Sequence, residues 1–148
     1  MITTRRMFLR AAAAGAALLA LPKTLLAWPE KAFESESTDA AMKELFGSST
    51  ATASDAVTLT APDIAENGAV VPVTVESDVE GAKSISIIAS GNGTPLIASF
   101  ELGDNAVPFV STRIKMAKTS DVVAVVQTDS GLLSAAKPVK VTIGGCGG

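Results

Sequence analysis

The side chain with the clearest capacity for covalent chemistry is the thiol of Cys146, the single cysteine among 148 residues. It lies in the C-terminal sequence Gly144-Gly145-Cys146-Gly147-Gly148. Glycine has no β-carbon and populates backbone conformations closed to other residues, so four glycines around one cysteine predict a flexible arm. Five residues extend to roughly 17 Å, which is enough for the thiol to enter a pocket of another protein.

The sequence offers no group that would activate this thiol. It contains no histidine and no tyrosine, whereas nucleophilic cysteines need a base or a positive environment to become thiolates. An isolated thiol, with a pKa of about 8.5, is only a few per cent thiolate at neutral pH. We therefore expect Cys146 to carry a covalently attached group for other enzymes, and we expect the chain itself not to be an enzyme.

A second cluster that could serve a function is basic. Arg113, Lys115 and Lys118 lie within six positions of one another. They either dock an acidic partner or an anionic sulfur group, or they are ordinary surface charges at a strand end and turn. The carboxylates are scattered without ligand spacing, and with no histidine and one cysteine the sequence predicts no metal site. No glycine loop of the phosphate-binding kind is present, so we expect no cofactor.

The N-terminus is typical of an export signal. The paired Arg5 and Arg6 are followed by an Ala/Leu run over 11–21 and then by the small residue Ala27. The arginine pair resembles a twin-arginine signal, and a chance pair in a general secretory signal is the alternative. We expect cleavage after Ala27 and a periplasmic protein. Because the twin-arginine route exports folded proteins and no cofactor motif is present, we also expect a partner exported together with this chain.

Removal of residues 1–27 would leave the chain acidic. Four of its 12 Lys and Arg residues lie in the signal, so 8 basic residues remain against 15 acidic ones, a net charge of about −7. A net negative surface attracts neither nucleic acid nor anionic lipid. The later apolar runs are too short to span a bilayer as a helix. We expect no nucleic acid and no membrane partner, and instead protein partners or small ligands.

The first part of the mature chain predicts little regular structure. Residues 28–37 are polar and predict an irregular leader, and residues 48–54 predict a linker of Ser, Thr and Ala. Between them, Thr38 predicts the N-cap of a short helix that Gly47 ends.

From Val57 onward the sequence predicts strands. Short runs of Val, Ile and Thr are broken by Pro, Gly, Asn and Asp. The alternation at Ile85, Ile87 and Ala89 indicates a strand with one solvated face, as does that at 139, 141 and 143. Asn67-Gly68 and Asn92-Gly93 are expected to adopt positive φ where the chain reverses. Seven strands are predicted, near residues 57–60, 70–76, 83–89, 96–102, 110–114, 122–127 and 138–143.

Seven short, evenly spaced strands with no helices between them predict an all-β fold, an immunoglobulin-like antiparallel β-sandwich. A short N-terminal helix and a flexible C-terminal Gly-Cys tail complete it. The predicted organisation is an export signal at 1–27, a leader with helix and linker at 28–54, the sandwich at 55–143 and a swinging arm at 144–148.

Several segments in the same order resemble the SoxY family of sulfur carrier subunits, and the glycine-cysteine ending is the most specific of them. The segments are Trp28-Pro29 before the short helix, Ala61-Pro62 with Ile64-Ala65-Glu66-Asn67-Gly68, the run Thr112-Arg113-Ile114-Lys115-Met116-Ala117-Lys118-Thr119-Ser120-Asp121-Val122, and the ending Val139-Lys140-Val141-Thr142-Ile143-Gly144-Gly145-Cys146-Gly147-Gly148.

The resemblance implies a carrier of the bacterial Sox system for thiosulfate oxidation, with sulfur intermediates covalently attached to Cys146. In that family a haem enzyme couples thiosulfate oxidatively to the thiol, a hydrolase releases sulfate, and a molybdenum-haem dehydrogenase oxidises the remaining sulfane. The carrier performs no catalysis and works as a heterodimer with SoxZ, which resembles another immunoglobulin-like domain without an export signal. Gly144, Gly145, Gly147 and Gly148, identified above from their conformational freedom, form the arm that presents Cys146.

Two other functions are compatible with the tail. One is a structural, exported immunoglobulin-like domain that Cys146 crosslinks to another chain. The other is a carrier that uses a thiocarboxylate at Gly147-Gly148. That chemistry needs ATP activation, which an exported protein lacks, and it gives Cys146 no task.

Overall fold

Two β-sheets packed face to face form the body of the protein, and two helices cover one of them. The computed structural model describes residues 28–144, so the predicted signal at 1–27 lies outside the described residues. The helices are α1, Glu30–Glu34, and α2, Thr38–Phe46. The strands in the described part of the chain are β1 Thr52–Ala53, β2 Val57–Thr60, β3 Ile64–Ala65, β4 Val71–Ser77, β5 Ser84–Ala89, β6 Leu96–Glu101, β7 Phe109–Ile114, β8 Ser120–Thr128 and β9 Gly131–Val141.

The strand order confirms the predicted immunoglobulin-like sandwich. The larger sheet has the order β1-β9-β8-β5-β6, with β3 also paired to β9, and the smaller sheet has the order β2-β4-β7. The long strands pair antiparallel, whereas the two-residue strands β1 and β3 pair parallel to β9. Between the sheets, alternate residues of each strand form the main core, among them Val73, Val75, Ile85, Ile87 and Val126.

The two helices form a third layer on the outer face of the larger sheet. Met42 of α2 packs there with Ile88 of β5 in a second apolar cluster. The prediction of one solvated face on β5 is wrong, since all six of its residues are buried. The serines that suggested solvent exposure are hydrogen-bonded instead: the Ser86 hydroxyl donates to the Ser99 hydroxyl at 2.9 Å.

The helix predicted from Thr38 exists, but its cap is one residue earlier. The Ser37 hydroxyl accepts a hydrogen bond from the Ala40 N–H at 3.2 Å, so Ser37 is the N-cap and Thr38 is the first helical residue. Gly47 ends the helix with φ of 74°, in the left-handed region that favours glycine.

Other predicted boundaries shift by one or two residues, with three larger differences. The predicted leader contains α1, the predicted linker contains β1, and β9 begins at Gly131 rather than at residue 138. Beyond these three, the two-residue strand β3 was not predicted at all. No non-glycine residue in 28–144 has positive φ, so the expectation for Asn67 and Asn92 is wrong. Within the same range no helix has the length and apolar character needed to cross a membrane.

Candidate functional site

The last strand, β9, leads the chain towards the C-terminal arm. The two residues that follow it, 142 and 143, are hydrogen-bonded to the rest of the sandwich. The Thr142 hydroxyl donates to the Glu66 carbonyl at 2.9 Å. The Gly68 N–H donates to the Ile143 carbonyl at 2.8 Å. Residues 142 and 143 therefore continue along the segment that follows β3, and the chain is held by a backbone hydrogen bond as far as Ile143.

The loop between β7 and β8 packs against both the segment that follows β3 and the residues that follow β9. The Met116 N–H donates to the Gly68 carbonyl at 2.7 Å, and the Met116 side chain is fully buried. The Thr119 hydroxyl accepts from the Val141 N–H at 2.9 Å. A β-carbon on Gly144 would overlap the Ala117 carbonyl oxygen. We call residues 65–68, 115–119 and 141–144 the arm base.

The turn between β5 and β6 adds a side-chain tie to the arm base. The Asn92 amide nitrogen donates to the Lys115 carbonyl at 2.8 Å, and its amide oxygen accepts from the Ala117 N–H at 2.8 Å. Asn67 acts only locally, with its side-chain oxygen accepting from the Ala69 N–H at 2.9 Å. Both asparagines thus form turns through their side chains rather than through positive φ.

The predicted basic cluster lies beside the arm base. Arg113 is the penultimate residue of β7, Lys115 and Lys118 belong to the loop, and all three side chains are exposed. Among the described residues none of the three forms an ion pair; the two pairs there are Lys83 with Asp129 and Lys137 with Asp63. Arg113 and Lys115 also line an open groove of about 340 Å³ with residues of the β5–β6 turn and of β6. The structure therefore brings the cluster to the place where the arm leaves.

Exposed apolar side chains accompany these charges. Ile143 is 68% exposed, Ile64 57% and Val70 52%, and all three belong to the same end of the sandwich. Exposed apolar groups beside polar ones are common where proteins dock. In residues 28–144 no group of three His, Cys, Asp or Glu side chains is placed to hold a metal ion.

Of the predicted arm residues, Gly144 lies within the structure, whereas Gly145, Cys146, Gly147 and Gly148 lie outside the described residues. Sequence reasoning did not assign a role to Asn92, Thr119 or Gly68. The available signal was indirect: three of the segments that resemble SoxY, around residues 64–68, 112–122 and 139–144, meet at the arm base. The three segments are far apart in the sequence, and their common feature is that they contact one another at the arm base.

The fold and the sequence together define a class of protein, a β-sandwich whose last strand leads within five residues to a single cysteine. Residues 42–146 match the family model described as "Sulfur oxidation protein SoxY". The chain belongs to the SoxY family. No curated protein matches it.

Two solved structures support this assignment to different extents. The sulfur carrier protein SoxY from Chlorobium limicola f thiosulfatophilum is 47% identical with a TM-score of 0.63, over 70% of this chain and 94% of that chain. A superoxide reductase (neelaredoxin) from Ignicoccus hospitalis is 20% identical with a TM-score of 0.52, over 57% of this chain and 79% of that chain. The second likeness shows the fold alone. The first, with the family match, supports a sulfur carrier in sulfur oxidation.

Proposed function

We propose that the chain is a periplasmic carrier that holds thiosulfate-derived sulfur on Cys146 and presents it to the enzymes of the Sox system. The observation that carries the proposal is the extent of the family match, which runs through residue 146 and so includes the cysteine. The absence of histidine and tyrosine from the sequence agrees with a thiol that is activated by a partner.

The proposed cycle begins with oxidative coupling. The Cys146 thiolate and thiosulfate form a sulfur–sulfur bond, and the two electrons released pass to the haem enzyme. Hydrolysis then transfers the terminal sulfonate to water, giving sulfate and a persulfide on Cys146. The sulfane dehydrogenase oxidises the persulfide sulfur to a sulfonate, with three oxygen atoms supplied by water and six electrons accepted by the dehydrogenase. Hydrolysis then releases this sulfonate as sulfate and restores the Cys146 thiol. In each step the carrier contributes the sulfur atom to which the intermediate is bound.

The described residues supply the attachment and the docking surface in this proposal. Hydrogen bonds at Gly68 and Thr142 hold the arm base, and the glycines beyond it predict a flexible arm. Tethering keeps the intermediate at high effective concentration near each enzyme in turn. The cations Arg113, Lys115 and Lys118 beside the arm base favour partners with an acidic rim around their reaction centre.

The proposed partners are a SoxZ-type subunit in a heterodimer, and the haem enzyme, the sulfate-releasing hydrolase and the sulfane dehydrogenase in transient contact. The paired Arg5 and Arg6 support export by the twin-arginine route. Export in the folded state would allow the SoxZ-type subunit to leave the cytoplasm with this chain.

The test is the intact mass of the purified complex after incubation with thiosulfate and the oxidising haem enzyme. We expect a sulfur-containing adduct that a reducing agent removes. The Cys146→Ser variant is the control, and it should acquire no adduct. An unmodified protein that forms only disulfide-linked dimers would contradict the proposal and favour the crosslinked structural domain.

A further inference from the structure

Asn92 makes a pair of hydrogen bonds that fits an amide side chain. It donates to the Lys115 carbonyl and accepts from the Ala117 N–H, both at 2.8 Å. An amide side chain has both a donor and an acceptor, whereas a carboxylate has only acceptors. The two partners lie 23 and 25 residues further along the chain. The side chain therefore joins two turns that the sequence keeps far apart.

The neighbouring residue, Gly91, allows the β5–β6 turn to lie close to the start of β8. A β-carbon on Gly91 would lie 2.6 Å from the Ser120 β-carbon, closer than real β-carbons approach one another. The Ser90 N–H donates to the Asp121 carbonyl at 3.0 Å. Residues 90 and 91 thus pack the β5–β6 turn against the start of β8. Asn92 then faces the loop between β7 and β8.

The loop that Asn92 holds is the one that contacts the arm. The Ala117 carbonyl oxygen occupies the position that a β-carbon of Gly144 would need. One residue earlier, Met116 is hydrogen-bonded to Gly68, and Gly68 to Ile143. A displacement of residues 115–117 would therefore reach Gly144 both through this contact and through the Gly68 hydrogen bonds.

We propose that Asn92 is a positioning residue for the arm: through Lys115 and Ala117 it fixes the place and direction in which the chain departs at Gly144. This inference rests on the proposed carrier function. Only one residue, Gly145, separates Gly144 from Cys146. Because the arm is this short, the direction of the chain at Gly144 largely determines the region that the Cys146 thiol can reach. Reactions between positioned groups are sensitive to displacements of about 1 Å, which can cost a factor of about 100.

The test is the kinetics of Cys146 loading by the haem enzyme, with the Asn92→Ala complex compared with wild type. We expect kcat to fall by about 10- to 100-fold. KM should change little, because the exposed cations and apolar groups of the docking surface remain. Alkylation of Cys146 by iodoacetamide should keep its wild-type rate, since the thiol's chemistry is unaltered.

Ser86→Ala is the matched control for lost stability, because it removes a buried side-chain hydrogen bond to Ser99 within the sheet. It should leave loading unchanged. Asn92→Asp is a second variant in case Asn92→Ala does not fold; it retains the acceptor for Ala117 but loses the donor to Lys115, and we expect an intermediate kcat.

The outcomes separate this inference from the proposed function. Wild-type protein that is not loaded would reject the carrier function itself. Normal loading of wild type together with an unchanged kcat in both Asn92 variants would overturn the positioning role. An equal fall in Ser86→Ala would overturn it as well, since a general loss of stability would then account for the effect.

Discussion

Gly144 lies against the Ala117 carbonyl oxygen, at the point where the described chain ends. Four glycines around Cys146 predicted flexibility, but at this position the structure gives glycine a second role, because a larger residue would not fit beside the carbonyl. A methyl group there would push the chain away and lengthen the hydrogen bond between Gly68 and Ile143. Close packing, found at Gly144, and the backbone freedom predicted from the sequence thus call for the same residue type within one short tail.

The Gly144→Ala variant tests this role of glycine. Loss of one backbone hydrogen bond costs about 1 kcal/mol, so we expect amide exchange at Gly68 to accelerate by about fivefold, measured by NMR. The matched control is Gly103→Ala, where a β-carbon would meet nothing within 4 Å. Equal exchange rates at Gly68 in both variants would show that the Ala117 contact does not constrain the arm base.

How far the site could be predicted differs from residue to residue. Cys146 and its glycines stand out because the signal is local: a single nucleophile with unusual neighbours. Asn92 was correctly placed in a turn but for the wrong physical reason, since its hydrogen-bond partners are brought near only by the packing of the turns. Contacts between residues more than 20 positions apart leave no local pattern to read.

Among the elements, helix α2 has its N-cap one residue earlier than predicted, and substitutions at the two positions can test which residue is the cap. Ser37 accepts the capping hydrogen bond from Ala40, although Thr38 was the predicted cap. We expect Ser37→Ala to lower the free energy of unfolding by about 1 kcal/mol, measured by urea denaturation. Thr38→Ala is the paired control and should change it by less. The reverse order would restore Thr38 as the cap.

The elements that the sequence failed to predict depend on their neighbours. Helix α1 has five residues, of which only Ala32 is buried, too few for a helical period to be visible. Strand β9 was predicted near residues 138–143, but it begins at Gly131 and continues through Pro138, a residue type that is usually excluded from central strands. On its outer side β9 pairs with β1 at Leu133 and Ser134 and with β3 beyond residue 139. Pro138 falls between these pairings, where its missing N–H costs no ladder bond.

At the scale of the whole molecule, charge is distributed unequally between the two ends of the sandwich, with most of the cations at the arm end and most of the carboxylates at the other. The ends are separated by the nine residues of β8, roughly 30 Å. At the end opposite the arm base, the described cation is Lys83, which pairs with Asp129. The carboxylates of that end are Asp55, Glu76, Asp78, Glu80, Glu101, Asp104 and Asp129. The arm end has the cations Arg113, Lys115, Lys118, Lys137 and Lys140 and the carboxylates Asp63, Glu66 and Asp121, of which Asp63 pairs with Lys137.

This asymmetry predicts electrostatic steering of partner enzymes towards the arm end. Replacing Lys115 and Lys118 with glutamate should slow association with the haem enzyme by about tenfold at low salt, measured by stopped-flow fluorescence. The control replaces Lys31 and Lys43, exposed lysines of α1 and α2, and changes the net charge equally. If both double variants associate at the same rate, net charge alone governs the encounter and the cations of the arm end have no special role.

The hydrogen bond from Gly68 to Ile143 sets a limit on the enzymes that can use this protein. The chain runs from that bond to the sulfur atom through residues 144 to 146, which fully extended cover only about 10 Å. The roughly 17 Å expected for the whole tail included Gly147 and Gly148, which lie beyond the thiol and do not add to its reach. An enzyme that docks on the rigid sandwich must therefore keep its metal or catalytic group within that depth of its own surface. Enzymes with more deeply buried centres would be excluded as partners by distance alone, whatever their affinity for the thiol.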